Sequence, residues 1–185
     1  MKKFRAFIAS KLNNGNFKYS VSEKLISDLP EGNLLIKVKY SSLNYKDALS
    51  ASGAFGITKE YPHTPGIDVA GIIEKSECPD FPAGTKVIVT GFDLGVNTCG
   101  GFAEYVRVPS NWAIKCPKKL TIKESMMIGT AGLTAGLCIA KIENHMQLDS
   151  MNVIVSGATG GVGAIAIKLL NNLGAIVTGI TGKKN

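Results

Sequence analysis

The chain has 185 residues, enough for one complete hydrophobic core and part of a second. Hydrophobic residues make up 45% and charged residues 19%, which excludes a disordered segment or an isolated peptide motif. With 21 Lys and Arg against 14 Asp and Glu, the net charge of +7 favours anionic partners. The basic residues fall in isolated pairs such as Lys2-Lys3 and Lys118-Lys119, not in the dense stripe of a nucleic-acid binder, so no nucleic acid is expected.

At the N-terminus the charged start Met1-Lys2-Lys3 is followed by apolar residues that Arg5 and Ser10 interrupt, so no signal-peptide core is expected. As far as Pro117 the pattern is one of short strands between turn signals. Pro30-Glu31-Gly32 sets a turn before the strand Leu34 to Tyr40. Ile67 to Ile73 and Val87 to Val89 are β-branched runs, and Gly100-Gly101 leads into a strand from Phe102 to Val108. Strands at this spacing predict a small barrel or sandwich, with no sustained helix among them. The cysteines Cys78, Cys99, Cys116 and Cys138 stand apart, without a C-x-x-C pair or a His at ligand spacing. They read as reduced thiols of a cytoplasmic protein. His63 and His145, the only histidines, read as structural or exposed.

After Pro117 the character changes. Thr121 and Glu124 have the spacing of a capping box, so a helix should start there. Gly129 and Gly132 are expected to break it before a second helical stretch through Ala140. The low-charge run from Met126 to Ala140 is too short to span a membrane and reads as a buried helix. Met151 to Ser156 predicts a buried strand, Ala164 to Leu173 a helix, and Ala175 to Ile180 a second strand. Together they make one βαβ unit.

Between the first of these strands and its helix lies Gly157-Ala158-Thr159-Gly160-Gly161-Val162-Gly163. Ala158, Gly160 and Gly163 occupy the three fingerprint positions of a dinucleotide-binding turn. Small residues there let backbone N–H groups and the positive helix end approach a pyrophosphate. At the end of the second strand, where NAD-preferring proteins place an acid, the chain has Thr181-Gly182-Lys183-Lys184. A hydroxyl, a backbone N–H and two cations suit a ribose 2′-phosphate, and therefore NADPH; a solvated lysine pair is the other reading.

The glycine turn, together with Ser41-Ser42-Leu43-Asn44-Tyr45-Lys46-Asp47-Ala48-Leu49, Pro65-Gly66-Ile67-Asp68-Val69-Ala70-Gly71 and Ile128-Gly129-Thr130-Ala131-Gly132, resembles the medium-chain dehydrogenase/reductase superfamily. Within it the chain is most similar to the acryloyl-CoA reductase (NADPH) and quinone oxidoreductase family. The resemblance runs along the whole chain.

It implies an α/β protein in two parts. A GroES-like β-barrel catalytic domain (residues 1–120) precedes the first βαβ unit of a Rossmann NADP-binding domain (residues 121–185). The expected chemistry is NADPH-dependent reduction of an activated C=C bond without zinc, most naturally in acryloyl-CoA or another short 2-enoyl-CoA. NADPH:quinone reduction is the alternative, and a truncated, non-catalytic binding module is a second. Zinc-dependent members of the superfamily place Cys and His ligands where this chain has Asn44-Tyr45-Lys46-Asp47 and Gly66-Ile67-Asp68, so no metal is expected.

By the same resemblance Tyr45 and Asn44 are catalytic candidates, with Tyr45 against the nicotinamide and Thr130 beneath it. Thr159, Gly160, Gly161 and Val162 would hold the pyrophosphate, and Thr181, Gly182 and Lys183 the 2′-phosphate. The expected partners are a small acyl-CoA or quinone substrate and a second subunit in a homodimer, with no membrane. Because the pattern stops after the second Rossmann strand, the chain is expected to be part of a longer protein, inactive alone and prone to self-association through unpaired strand edges.

Overall fold

A computed structural model describes residues 2–182, and the chain divides into two compact units, Met1–Met127 and Ile128–Asn185. The first unit opens with an antiparallel hairpin of β1 (Lys3–Lys11) and β2 (Phe17–Leu25). The hairpin went unforeseen in the sequence because Ser20 and Ser22 stand opposite Ile8 and Ala6 on its inward side, where large apolar residues would mark a buried face. Phe4 and Ala6 pack beside Leu29, Leu35 and Tyr105. The hairpin is tied down by backbone bonds from Phe7 N–H to Phe102 O at 2.8 Å and from Glu104 N–H to Arg5 O at 2.9 Å.

Five antiparallel strands follow, β3 (Leu34–Tyr40), β4 (Asp68–Ser76), β5 (Lys86–Thr90), β6 (Tyr105–Val108) and β7 (Ala113–Lys115), in the order β6-β3-β4-β5-β7. The period-two pattern decides what they bury: Leu34 and Ile36, Val87 and Val89, Val106 and Val108 are all fully inside, with Val69, Ile73 and Leu94 among them. Each such side chain contributes roughly 1.5–3 kcal/mol by leaving water. The strand expected from Phe102 starts only at Tyr105, because residues 102–104 pair with the hairpin instead.

Between β3 and β4 runs a helix that sequence reasoning did not anticipate, α1 (Tyr45–Ala51). Two turns are too few for a helical period to show against a β-rich background.

The helix α2 (Ile122–Glu143) begins as the capping-box spacing requires. Thr121 Oγ1 accepts from the Glu124 N–H at 3.1 Å, and a Glu124 carboxylate oxygen accepts from the Thr121 N–H at 2.8 Å. Gly129 interrupts the helix at φ 52°, ψ −162°, a left-handed position that a Cβ would penalise. Gly132, expected as a second break, instead continues the helix. The division between the units falls at this kink, seven residues later than the 120/121 division drawn from sequence. The first turns of α2 account for the shift, since Ile122 and Met126 pack with Ala70 and Ile88 of the sheet.

By length and composition α2 could cross a membrane. The kink, however, divides it into residues 122–128 and 130–143, neither of which reaches the ~20 that a span needs. The expectation of a buried helix holds for one face only. Ala135 and Ile139 are buried, whereas Leu133 and Leu137 are exposed within the described residues.

The second unit completes the βαβ pattern with β8 (Asn152–Ser156), α3 (Gly161–Asn172) and β9 (Ile176–Ile180). The two strands are parallel, with Val153 opposite Val177 and Val155 opposite Gly179. Their inward residues Val153, Val155 and Val177 close on Ile139, Leu148, Leu170 and Ala175. This α/β arrangement of a GroES-like part and the opening of a Rossmann-type part is the fold class expected from sequence.

Candidate functional site

The residues singled out from sequence fall into two groups, one in each unit. In the first, the segment 41–44 between β3 and α1 is held by its own polar side chains. Ser41 Oγ donates to the Asp68 carbonyl and Ser42 Oγ to the Met126 carbonyl, each at 2.6 Å. Asn44 then caps α1 by its position and turns its amide aside. Its Nδ2 donates to Asp68 Oδ2 at 2.9 Å, while its backbone N–H donates to Asp47 Oδ2 at 2.8 Å. The second oxygen of Asp47 accepts from the Ile67 N–H at 2.9 Å. The carboxylate thus joins the start of α1 to the segment entering β4.

Asp47 and Asp68 are both buried. Burial pushes the Asp47 carboxyl above the ordinary carboxylate range, against the two N–H donors that favour its charge, and the neighbouring Asp68 pushes in the same direction. Neither aspartate was named from sequence as a site residue. The Asn-x-x-Asp spacing at 44–47 was the available signal, since an acid three residues after a helix cap returns to the cap's backbone. The pairing with Asp68 had no local signal.

Tyr45 occupies the first turn of α1, with 80% of its surface exposed. Beside it lies a cleft of about 540 Å³ lined by Phe7, Leu43, Asn44, Asp47, Ala48 and Phe102. Asn44 therefore faces this cleft, and Tyr45 is not part of its lining. Its walls are mostly apolar, with the Asn44 amide and the Asp47 carboxyl as the polar exceptions.

His63 is also buried, with Nε2 3.0 Å from the Gly95 carbonyl. Burial lowers its pKa, and the nearby Lys24 adds to the shift. It is the structural histidine expected from sequence. No three His, Cys, Asp or Glu side chains among the described residues stand close enough to hold a metal ion.

The second group surrounds the glycine turn. Gly160 precedes α3 with extended backbone, so the first N–H groups of the helix point out of its N-terminal end without intrahelical acceptors. No acid stands in that first turn. The helix also approaches the turn very closely. A Cβ on Gly163 would lie 2.3 Å from the Gly157 carbonyl oxygen, whereas one on Gly157 or Gly182 would meet nothing within 4 Å. The turn is thus packed tightly on its inner side and open on its outer side, which suits close approach of a pyrophosphate.

Thr159 and Thr181 are brought together, with their hydroxyl oxygens 3.1 Å apart. The backbone at Ala158 donates to the Ile180 carbonyl at 3.0 Å, so the end of β9 and the turn form one edge. Thr130 directly follows the kink in α2. Its neighbour Ala131 lies 3.4 Å from where a Cβ of Gly161 would stand, so the kink and the first turn of α3 are adjacent. Thr130, Thr159, Gly160, Gly161, Val162, Thr181 and Gly182 therefore share one end of the βαβ unit. Lys183 lies outside the described residues.

Comparison with known proteins finds relatives along the chain. Residues 30–118 match the alcohol dehydrogenase GroES-like domain family. An acrylyl-CoA reductase, AcuI, from Ruegeria pomeroyi is 36% identical over 182 residues, which are 97% of this chain and 55% of that protein. The crystal structure of the yhdH oxidoreductase from Salmonella enterica in complex with NADP is 41% identical with a TM-score of 0.92, covering 97% of this chain and 56% of that one. The yhfP protein of Bacillus subtilis, solved with NAD bound, is 42% identical with a TM-score of 0.93, covering all of this chain and 56% of its own. Other relatives carry the name quinone oxidoreductase. The chain spans about half the length of the curated relatives it matches. With a GroES-like domain match over residues 30–118 and relatives of this kind matching along its length, the chain resembles the medium-chain dehydrogenase/reductase family.

Proposed function

We propose that the chain forms part of an NADPH-dependent reductase of activated C=C bonds, with a short 2-enoyl-CoA such as acryloyl-CoA as substrate. The observation that carries this reading is the tight, acid-free glycine turn at the start of α3, with Thr159 and Thr181 side by side at its edge. Its open side and outward N–H groups suit a dinucleotide pyrophosphate, and the Thr181-Gly182 end of β9 suits the 2′-phosphate. NADPH, when bound, supplies the hydride.

The chain's own residues then have three tasks. The α3 N–H groups hold the pyrophosphate, and Thr130 borders the same end of the unit. In the first unit Asn44 is oriented by Asp68 and presents its amide to the apolar cleft, where it can position a substrate carbonyl. Tyr45, exposed in the first turn of α1, offers a ring face and a hydroxyl as proton source for the α-carbon.

The residues at the positions of the zinc ligands support a reaction that runs on orientation and proton supply. Ile67 has no donor atom, and the Asn44 amide is engaged with Asp68. Reduction of a C=C bond conjugated to a thioester needs no Lewis acid at those positions.

The test is steady-state NADPH oxidation by a protein that carries this chain over the full length of its relatives. Acryloyl-CoA and a benzoquinone are compared, with and without chelator. Turnover of acryloyl-CoA that chelator leaves unchanged, and that falls in Tyr45→Phe, supports the reading. Faster reduction of the quinone would replace the substrate, and failure to bind NADPH would leave a non-catalytic module.

A further inference from the structure

We propose that a second cleft, at the end of β3, binds the adenosine-phosphate end of a coenzyme A thioester; this rests on the enoyl-CoA reading above. The cleft measures about 490 Å³ and is lined by Lys39 and Tyr40 from β3 and by Thr121, Ile122 and Lys123 from the start of α2. Its two walls are fixed to one another. Ser42, two residues beyond Tyr40, donates its hydroxyl to the Met126 carbonyl at 2.6 Å, and Ile122 packs with Met126, Ala70 and Ile88.

The lining has the chemistry of a nucleotide site. Tyr40 is 43% exposed and makes no ring contact with another aromatic residue among those described, so a face remains for a base to stack on. Ile122 supplies an apolar wall. The ion pairs among the described residues are Lys2–Glu74, Lys3–Glu23 and Arg5–Glu104, so Lys39 and Lys123 bear charges that no carboxylate neutralises. The acid next to the cleft, Glu124, is engaged with the N–H and hydroxyl of Thr121.

One exposed tyrosine and two lysines lining the same cleft suit a single base with a few phosphates. A nucleic-acid strand would need a longer basic track.

The position favours coenzyme A over the cofactor. Tyr40 lines this cleft and Asn44 the apolar one; four residues apart, at ~3.3–3.6 Å per residue, their Cα atoms are at most ~14 Å from one another. The flexible pantetheine arm can span that distance, which lets the thioester lie beside Asn44 while the 3′-phospho-ADP group rests between the lysines. The cofactor's own phosphate site is assigned to the glycine turn of the second unit.

The experiment is calorimetric titration, with coenzyme A, 3′,5′-ADP, 2′,5′-ADP and NADPH, of a protein that carries this chain over the full length of its relatives. It compares wild type, the Lys39→Glu/Lys123→Glu pair and the milder Lys39→Gln/Lys123→Gln pair. The expected result is that coenzyme A and 3′,5′-ADP bind wild type, weaken at least tenfold in the Glu pair and less in the Gln pair, while NADPH is unchanged. Coenzyme A binding that neither pair alters would overturn the cleft and leave the enoyl-CoA reading standing. Weakening of NADPH and 2′,5′-ADP alone would give the cleft to the cofactor, and overturn the proposal. Absence of coenzyme A binding to wild type would also overturn it, and turnover of acryloyl-CoA by the longer enzyme would then decide the substrate reading by itself.

Discussion

Gly163→Ala tests whether the glycine turn is as tightly packed as its geometry implies. The added Cβ would stand 2.3 Å from the Gly157 carbonyl oxygen, 2.8 Å from its carbonyl carbon and 3.1 Å from the Ala158 Cα. All three are backbone atoms, so no side chain can rotate away and either the turn or the helix must move. Overpacking of this kind costs about 1–3 kcal/mol, and an overlap of this depth belongs near the upper end. Alanine's helix preference returns roughly 0.5–1 kcal/mol. The net loss is therefore about 2 kcal/mol, or ~4–8 °C in Tm for a chain of this size.

Gly136→Ala is the control, since in the second segment of α2 its Cβ would meet nothing within 4 Å. It should gain about 0.5–1 kcal/mol. Gly161→Ala, with its nearest contact at 3.4 Å from the Ala131 Cβ, should fall between the two. Thermal unfolding of the three variants beside wild type, followed by NADPH titration, measures both consequences. Gly163→Ala should lose stability and cofactor binding together. If it melts at or above wild type, as Gly136→Ala should, the close approach of α3 to the turn is wrong and the pyrophosphate cradle loses its basis.

Three further outcomes follow from the same groups. Asp47→Asn leaves one of the Asn44 and Ile67 N–H groups facing an amide instead of a carboxylate oxygen, and denaturant unfolding at pH 7 should show a loss of about 1–3 kcal/mol that outweighs the relief of burying less charge. His63 has its folded pKa held below 6.5 by burial and by Lys24. The unfolded chain therefore binds the extra proton first, and stability contributed by His63 is lost as pH falls from 7 through 6.5; the difference in unfolding free energy between pH 7 and pH 5 should shrink in His63→Gln, and an unchanged difference would put the titrating group elsewhere. Lys183→Glu should weaken NADPH about tenfold or more and leave NADH nearly unchanged, since a charge-assisted contact is worth about 1.5–3 kcal/mol and only one cofactor carries the phosphate. Equal weakening of both would show that Lys183 acts through folding.

What could be read from sequence was whatever is local in the chain. The capping box of α2 spans four residues, Thr121 to Glu124, and announces itself, and the βαβ unit shows because two β-branched runs flank glycines whose spacing has a steric meaning. The hairpin β1-β2 and the helix α1 were hidden for the opposite reason. Alanines and serines fill the hairpin's faces, and α1 is shorter than the period needed to recognise it. Gly132 shows the limit of residue type as a signal, since it lies in helical backbone three residues after the Gly129 kink.

The same distinction explains how the first group was only half read. Asn44 and Tyr45 were taken together as neighbours on a loop, yet the helix separates their roles. Asn44 is fixed by Asp68 and borders the cleft, while Tyr45 projects with most of its surface exposed. The string Ser41-Ser42-Leu43-Asn44-Tyr45-Lys46-Asp47 is dense in polar residues, and four of them are used in holding the segment. Ser41 bonds to Asp68, Ser42 to Met126, Asn44 to Asp68, and Asp47 to Asn44 and Ile67. A carboxylate as deeply buried as Asp47 is tolerated because two N–H groups face it, and those donors, on Asn44 and Ile67, come from segments 23 residues apart. A single substitution at Asp47 therefore loosens both the start of α1 and the entry to β4. Tyr45→Phe removes only the hydroxyl of an exposed residue, so an activity loss in that variant with unchanged stability would be chemical in origin.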